Sequence, residues 1–521
     1  MRAESPWTPR LADGGGPASE RLITALACDI VDGNLPAGAR LPAHRTLAST
    51  LGISTATVTK AYAALARRGL VRGSAGRGMF VAYRAHPDGG TIDLALNAPP
   101  PLLGDSALAD AMTAVTGRVD ARGLADYGAP GGHLEHRQAV AAWIATTGFD
   151  LPAEDLLLCN GAQHAITAAL LSASAGTGGR FGARGRAGAG RRPVTVFTEE
   201  VTFPGVLRYA ELAGHPVRAV GTDAQGMHPA ALDRALTSFA ASAGAAGADA
   251  PPARGGGGRT GPGQALVYVT PTLHNPTAAT MGGRRRREIV RVARQHDALI
   301  IEDDVYALGQ ERTAPPLAAL APERVYYVTS ASKALSPAIR VGALAPPAAL
   351  RDRAAAAVRA LAQPVSPVQC ELLAELTRTG IAAEVRAAIR HEGSRRTALA
   401  RSVLGAARPD SAAQPGPALS GPAPRGAALP AAPLLTADGG CYHGFLPLPR
   451  AVADAVVLAA ASSGVSLTSP ASIMADPDGP RSGIRLCLGG PSWNDLSRGL
   501  AVLRSVLDQT MRPAIQGDAT A

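Results

Sequence analysis

The sequence predicts an α/β protein whose main body carries a mostly parallel central sheet. A small winged helix-turn-helix module precedes that body, and a smaller α+β part closes the chain. Three observations lead there. The 521 residues exceed what one hydrophobic core organises, so several domains are expected. From about Ile92 onward, apolar strand-like runs alternate with helical stretches, the pattern of strands joined by crossover helices. Before that point basic charge concentrates: residues 1–86 hold 11 Lys/Arg against 5 Asp/Glu, a net of +6.

The N-terminal elements come in order. Residues 1–16 are expected to form a disordered tail, residues 17–84 the module, and residues 85–91 a linker. A helix is predicted from about Ala18 to Asp32, with Leu22, Ile23, Leu26 and Ile30 on one face and Gly33 as its stop. A short helix near Ala43–Leu51 ends at Gly52. Ser54 is placed to cap the next one, Thr55–Arg68, in which Val58, Tyr62 and Leu65 have helical spacing. Two helices joined by a tight turn form a helix-turn-helix, and the second would enter the major groove of DNA. The run LVRGSAGRGMFV then reads as strand, glycine-rich turn and strand, a wing. The exposed face of the second helix offers Thr55, Thr57, Thr59 and Lys60, hydroxyls and a cation suited to phosphates and base edges.

The body is assigned to 92–510, its large part to about 105–345 and its small part to about 346–510. Low-complexity stretches at 172–193, 240–264 and 405–437 lack apolar periodicity and read as disordered surface insertions. Two strands matter most. DALIIEDDVY (297–306) ends in carboxylates, and ERVYYVTSASK (323–333) ends in hydroxyls and then Lys333. Ligands bind at the C-terminal edge of such sheets.

Composition narrows the chemistry. Aromatics make up 4% of the chain, so Ala, Leu and Val must build the cores. Of the 51 basic residues only Lys60 and Lys333 are lysines, a bias that fits GC-rich coding. A lysine retained at a strand end, flanked by small residues, is poised as a Schiff-base nucleophile, a role that a guanidinium cannot fill. Charge in the winged module and in the Gly/Arg stretches 172–193 and 250–263 comes to +13 against a net +10, so the remainder is about −3. Cys28, Cys159, Cys370, Cys441 and Cys487 lie far apart with no CxxC spacing, which argues against a disulfide framework or a metal site. The apolar run 455–461 is too short to span a bilayer, and the N-terminus has no signal-like apolar stretch. A cytoplasmic location with no membrane contact is expected.

At Gly38, Leu41-Pro42, Arg45, Leu47-Ala48, Leu51-Gly52, Ser54, Thr57-Val58, Ala61-Tyr62, Leu65, Gly69 and Gly78-x-Phe80-Val81 the first block resembles the GntR family of bacterial regulators. The resemblance implies that Arg45, Ser54, Thr55, Thr57, Thr59 and Arg77 face a double-stranded DNA operator. Thr55-Ala56 stands where relatives often begin the reading face with arginine, which leaves the operator sequence open.

Residues 92–508 resemble fold-type I pyridoxal-phosphate proteins, the aspartate aminotransferase superfamily. By that resemblance Lys333, in Ser330-x-Ser332-Lys333, would form the Schiff base with pyridoxal 5′-phosphate. Asp303, in EDDVY, would keep the pyridine nitrogen protonated. Tyr306 and Asn275 (in HNPT) would contact the phenolic oxygen, and Phe203 (in VTFPG) would stack on the ring. Gly161, Ala162 and Gln163 in LCNGAQHAI, with Ser330, Ser332 and Arg340, would cradle the phosphate. Tyr127, in YGAPGG, resembles the tyrosine that reaches a neighbouring subunit's site, and Arg485, in GIRLCLGG, the arginine that grips an α-carboxylate. Ala278, Val201 and Phe203 depart from the family's usual pattern without removing a proton-transfer group.

The fusion of the two resembles the MocR subgroup of GntR regulators, which implies a head-to-tail homodimer with an amino acid, an amine or the cofactor itself as effector. Two functions stay open: a ligand-sensing transcription regulator with little or no turnover, and an active pyridoxal-phosphate-dependent aminotransferase with an accessory DNA-binding domain.

Overall fold

The computed structural model describes residues 7, 9–12, 16–31, 35, 39–67, 70–74, 78–81, 91–119, 129, 131–174, 194–248, 263–307, 313–405, 435–437 and 439–511. Tyr127 and Arg77 lie outside the described residues, as does most of the three insertions. One expected insertion is partly ordered, because the helix Pro229–Ala248 runs into the stretch 240–264.

The first module has three helices, α1 (Ala18–Val31), α2 (His44–Leu51) and α3 (Thr55–Arg67). An antiparallel ribbon of β1 (Val71–Ser74) and β2 (Gly78–Val81) follows. Leu22, Leu26, Ile30, Leu47, Val58, Tyr62 and Leu65 are at most 2% exposed, so the helical spacing read from the sequence does define the buried faces. Gly52 ends α2 at φ 64°, a left-handed conformation that favours glycine. Ser54 Oγ accepts the Thr57 N–H at 3.1 Å and caps α3. Within the expected free tail over 1–16, Trp7 and Arg10 are held by α1. Trp7 is buried, and its indole N–H donates to Asp29 Oδ2 at 2.6 Å. Arg10 binds both oxygens of the same carboxylate. A buried aspartate on α1 needs partners, and the arm supplies them.

The body begins with β3 (Ile92–Asp93) and the helix α4 (Asp105–Thr116). Its central sheet has the strand order β4 (Leu157–Asn160), β12 (Val341–Ala345), β11 (Val325–Ser330), β10 (Leu299–Asp303), β9 (Gln264–Val269), β5 (Val194–Glu199), β6 (Val217–Val220). Neighbours run parallel except around β12, which opposes both β11 and β4. A small hairpin, β7 (Thr222–Asp223) and β8 (Gly226–Met227), lies beside it. Strand periodicity sorts side chains between two cores: Tyr326 and Val328 enter one face with Tyr268 and Ile301, Val325 and Tyr327 the other with Val267 and Ile300. The parallel strands bring Asn160, Glu199, Asp303 and Ser330 to one edge, where β12 also starts.

The C-terminal part pairs β13 (His443–Pro447) with β15 (Gly483–Cys487), and β14 (Val465–Ser466) with β3. Leu94, just after the linker, is buried in that same core with Leu446, Leu486 and Leu500. Helices Arg351–Leu361 and Pro367–Arg378 bury Ala354, Val358, Leu373 and Leu376 against the large sheet. The helix Ile381–Leu404 spans both cores, with Ile389 in the large one and Leu404 in the small. Periodicity reveals a helix but not which core it faces.

The winged module rests on the body of its own chain. Ser106 Oγ on α4 donates to the Ala66 carbonyl at 3.3 Å. A cavity of about 640 Å³ remains between them, walled by Ile23, Ala27 and Lys60 on one side and Leu102, Val385 and His391 on the other. Among the described residues no helix is long and apolar enough to cross a membrane, and no group of three His/Cys/Asp/Glu is arranged to hold a metal.

Candidate functional site

Lys333 follows the end of β11 through a tight turn. Burial is the main cause that lowers its ammonium pKa to about 8, so the free-base fraction near neutral pH is far larger than that of an exposed lysine, though the ammonium still predominates. Nζ donates to the carbonyl of Asn97, and the Tyr442 hydroxyl donates to the Lys333 carbonyl at 3.0 Å. Asp303 ends β10 and is buried. Its Oδ2 accepts from the Tyr268 hydroxyl at 2.6 Å, while Oδ1 is buried without any partner. Burial raises this carboxyl to about 6. Tyr306 is buried too, and its hydroxyl accepts from Asn97 Nδ2 at 2.7 Å.

Around the end of β4 the backbone forms a cradle. Gly161 has φ 80°, and a Cβ there would lie 2.7 Å from Arg340 Nη2. A Cβ on Gly342 would lie 2.7 Å from the Gly161 carbonyl carbon, so both positions need glycine. The helix Ala162–Ser174 starts here, and its first N–H groups, those of Ala162 and Gln163 included, have no partner within the helix. His164 locks the turn: Nδ1 accepts the Asn160 N–H at 3.0 Å, while Nε2 donates to the Val358 carbonyl at 3.1 Å. Arg340 Nη2 donates to the Asn160 carbonyl at 3.3 Å. Ser330 and Ser332 hydroxyls stand 2.9 Å apart beside it. Gln163 Nε2 donates to the Gly205 carbonyl at 3.4 Å, and Phe203 lies next to Gly205, where a Cβ would come within 2.4 Å of its ring.

Arg485, on β15, is the third feature. Nη1 donates to Asn275 Oδ1 at 3.1 Å, Nη2 to the Ala95 carbonyl at 2.8 Å and Thr468 Oγ1 at 3.1 Å, and Nε has no partner. Contacts thus run from Lys333 through Asn97 to Tyr306, and from Asn275 through Arg485 to Ala95. One short segment, 95–97, touches both.

These residues fit pyridoxal 5′-phosphate. The orphaned Asp303 Oδ1 suits a protonated ring nitrogen, and the glycine-lined helix start suits a phosphate. Sequence reasoning missed Asn97, Tyr268, His164 and Tyr442. Nothing local to Asn97 links it to a tyrosine 209 positions away. Also missed was a buried acid. Burial raises Glu199 to about 8 and lowers His274 to about 3, so both are neutral at pH 7. Their facing atoms, Oε2 and Nε2, are 3.8 Å apart.

On the winged module, Arg45, Ser54, Thr55, Thr59 and Lys60 are exposed and Thr57 is half-buried. Thr59 Oγ1 donates to the Thr55 carbonyl at 2.9 Å, and Ser54 and Thr57 hydroxyls share a hydrogen bond of 2.8 Å. Lys60 differs from the rest: it lines the cavity toward the body, off the face that carries Thr55 and Thr59.

Comparison with known proteins gives two family matches. Residues 90–404 match aminotransferase class I and II, and residues 18–81 match the gntR family of bacterial regulatory proteins. The HTH-type transcriptional regulator YdeF of Bacillus subtilis is 27% identical over 379 residues, covering 71% of this chain and 73% of its own. The HTH-type pyridoxine biosynthesis regulator PdxR of Corynebacterium glutamicum is 25% identical over 368 residues, covering 67% and 71%. The multiple substrate aminotransferase of Thermococcus profundus superposes with a TM-score of 0.64 at 17% identity, covering 82% of this chain and 93% of its own.

Proposed function

The chain belongs to the class I and II aminotransferase family and, through its gntR-type N-terminal module, to the MocR-type regulators; from that premise we propose a transcription regulator whose body senses an amino compound or the cofactor itself. The observation that carries the reading is the presence, in one chain, of an exposed helix-turn-helix face and a set made of the half-buried Lys333 with the buried Asp303 and Arg485. Pyridoxal 5′-phosphate is the cofactor of this family; when bound, it supplies an aldehyde that condenses with primary amines and a ring that withdraws electrons.

The protein's own groups then have distinct work. Lys333 presents a nucleophile that loses its proton more readily than an exposed lysine, because burial disfavours its charge. Asp303 Oδ1 would hold a proton on the ring nitrogen. Its Oδ2 is fixed by Tyr268, so the carboxylate cannot turn away. Tyr306 and Asn275 would orient the phenolic oxygen, and Phe203 would cover the ring. Gly161, Ala162, Gln163, Ser330, Ser332 and Arg340 would bind the phosphate. Arg485 would exchange its bonds to Ala95 and Thr468 for an effector carboxylate. The effector's amine would displace Lys333, and the released segment 95–97 leads directly back to the linker.

We further propose a head-to-tail homodimer binding two DNA half-sites, in which Arg45, Ser54, Thr55, Thr57, Thr59 and Arg77 face DNA. Lys60 would contribute from the flank. The full chain should select a duplex from a random pool, and Thr55→Glu should weaken that binding at least about tenfold while leaving the visible cofactor band intact. Failure to select any duplex, or binding unchanged by Thr55→Glu, would set the reading aside. A second reading, an active aminotransferase, is favoured by the completeness of Lys333, Asp303 and Arg485. Repeated turnover of an amino donor with a keto acid would establish it.

A further inference from the structure

One acceptor in the site has nothing to accept from. Asn97 is 8% exposed, and its main-chain carbonyl and side-chain amide nitrogen both have partners. The main-chain carbonyl takes a proton of Lys333 Nζ, and Nδ2 donates to the Tyr306 hydroxyl at 2.7 Å. Oδ1 is buried with no partner. The orientation of the amide is set by its neighbour. If Tyr306 directs its own proton to the cofactor's phenolic oxygen, as proposed above, its oxygen would accept from Asn97 Nδ2 and leave Oδ1 as the open atom.

A buried carbonyl oxygen without a donor is unfavourable, and it is complementary to a ligand that brings the donor. Asn97 is buried beside Leu96, which is 65% exposed. It also stands between the two groups an α-amino acid would engage. Lys333 Nζ bonds the carbonyl of residue 97, and Arg485 Nη2 bonds the carbonyl of residue 95 at 2.8 Å. An amino acid held by its amine and carboxylate at those positions carries its side chain past Asn97.

We propose that Asn97 is a specificity-determining residue whose Oδ1 accepts a hydrogen bond from the effector's side chain. The effector class is then α-amino acids bearing a hydroxyl, amide or amino group, in preference to plain aliphatic ones. This rests on the reading of the body as an amino-acid sensor, and it adds a selectivity that the reading alone does not contain.

The test uses the full chain loaded with pyridoxal 5′-phosphate and follows the shift of its visible absorbance band. Dissociation constants are measured for pairs alike in shape: L-threonine with L-valine, L-serine with L-alanine, L-glutamine with L-methionine. Wild type is expected to favour the donor-bearing member of at least one pair by about fivefold or more. Asn97→Ala should reduce that preference below about twofold, and Asn97→Asp, which keeps the acceptor, should retain it. Should Asn97→Ala fail to load cofactor, the near-isosteric Asn97→Leu takes its place. A wild type that binds all pairs without preference, or a truncated variant that keeps the preference, overturns the proposal while leaving the sensor reading intact. Loaded protein that binds no amino acid at all removes the sensor reading and this inference together.

Discussion

Lys333 combines an amine that only lysine can offer with an environment whose burial lowers its pKa to about 8. Arginine has replaced lysine almost everywhere else in the chain, yet a guanidinium cannot condense with an aldehyde. Lys333→Arg is therefore expected to abolish the visible band of the loaded protein while leaving its thermal unfolding close to wild type. The pH dependence has a definite sign. Below about 8 the free-base fraction falls roughly tenfold per pH unit, so cofactor loading should quicken from pH 6 to 8 and level off above. Stopped-flow absorbance checks this. Asp303 acts in the opposite direction: near and below about 6 it becomes a neutral acid and cannot pair with a ring cation. Asp303→Asn should weaken cofactor affinity by about 10- to 100-fold, and wild-type affinity should drop as pH falls through about 6, both read by equilibrium dialysis. These two residues were legible because a scarce lysine and an acidic strand end stand out in the sequence. Tyr268, Asn97 and the neutral Glu199–His274 pair were not, since their roles arise from partners brought close only by the fold.

At the scale of elements, local signals decide what can be read. Gly52 and Ser54 bracket the turn of the helix-turn-helix because a left-handed stop and an N-cap depend on neighbours three or four residues away. Ser54→Ala should lower the stability of the winged module by about 1 kcal/mol, measured by urea unfolding. Gly161 is equally local in its φ of 80°, but its importance comes from Arg340 packed against it. Gly161→Ala places a methyl 2.7 Å from that guanidinium and should weaken phosphate-dependent loading more than loading of pyridoxal, which lacks the phosphate. The packing of the N-terminal arm and of the helix Pro367–Arg378 is not legible in the sequence, for the complementary reason. Trp7 finds Asp29, and Leu373 finds the large sheet, through contacts that no periodicity encodes.

At the scale of the whole molecule, the path between sites is short. The segment that leaves the linker is buried with the C-terminal core through Leu94, bonds Arg485 through Ala95, and bonds Lys333 and Tyr306 through Asn97. In the proposed reading, a change at the cofactor site would act on the segment that leads back toward the winged module. The cavity of about 640 Å³ between module and body leaves room for that movement. Filling it with Ala388→Trp should alter DNA affinity while the visible band stays unchanged, read by fluorescence anisotropy and absorbance. The central claim is that occupancy of the Lys333 site sets DNA affinity. It is tested by anisotropy with a selected duplex, without cofactor, with cofactor, and with cofactor plus the tightest amino acid, for wild type and Lys333→Ala. A shift of at least about fivefold between these states is expected in wild type and none in Lys333→Ala; an equal response in the two proteins would contradict the claim.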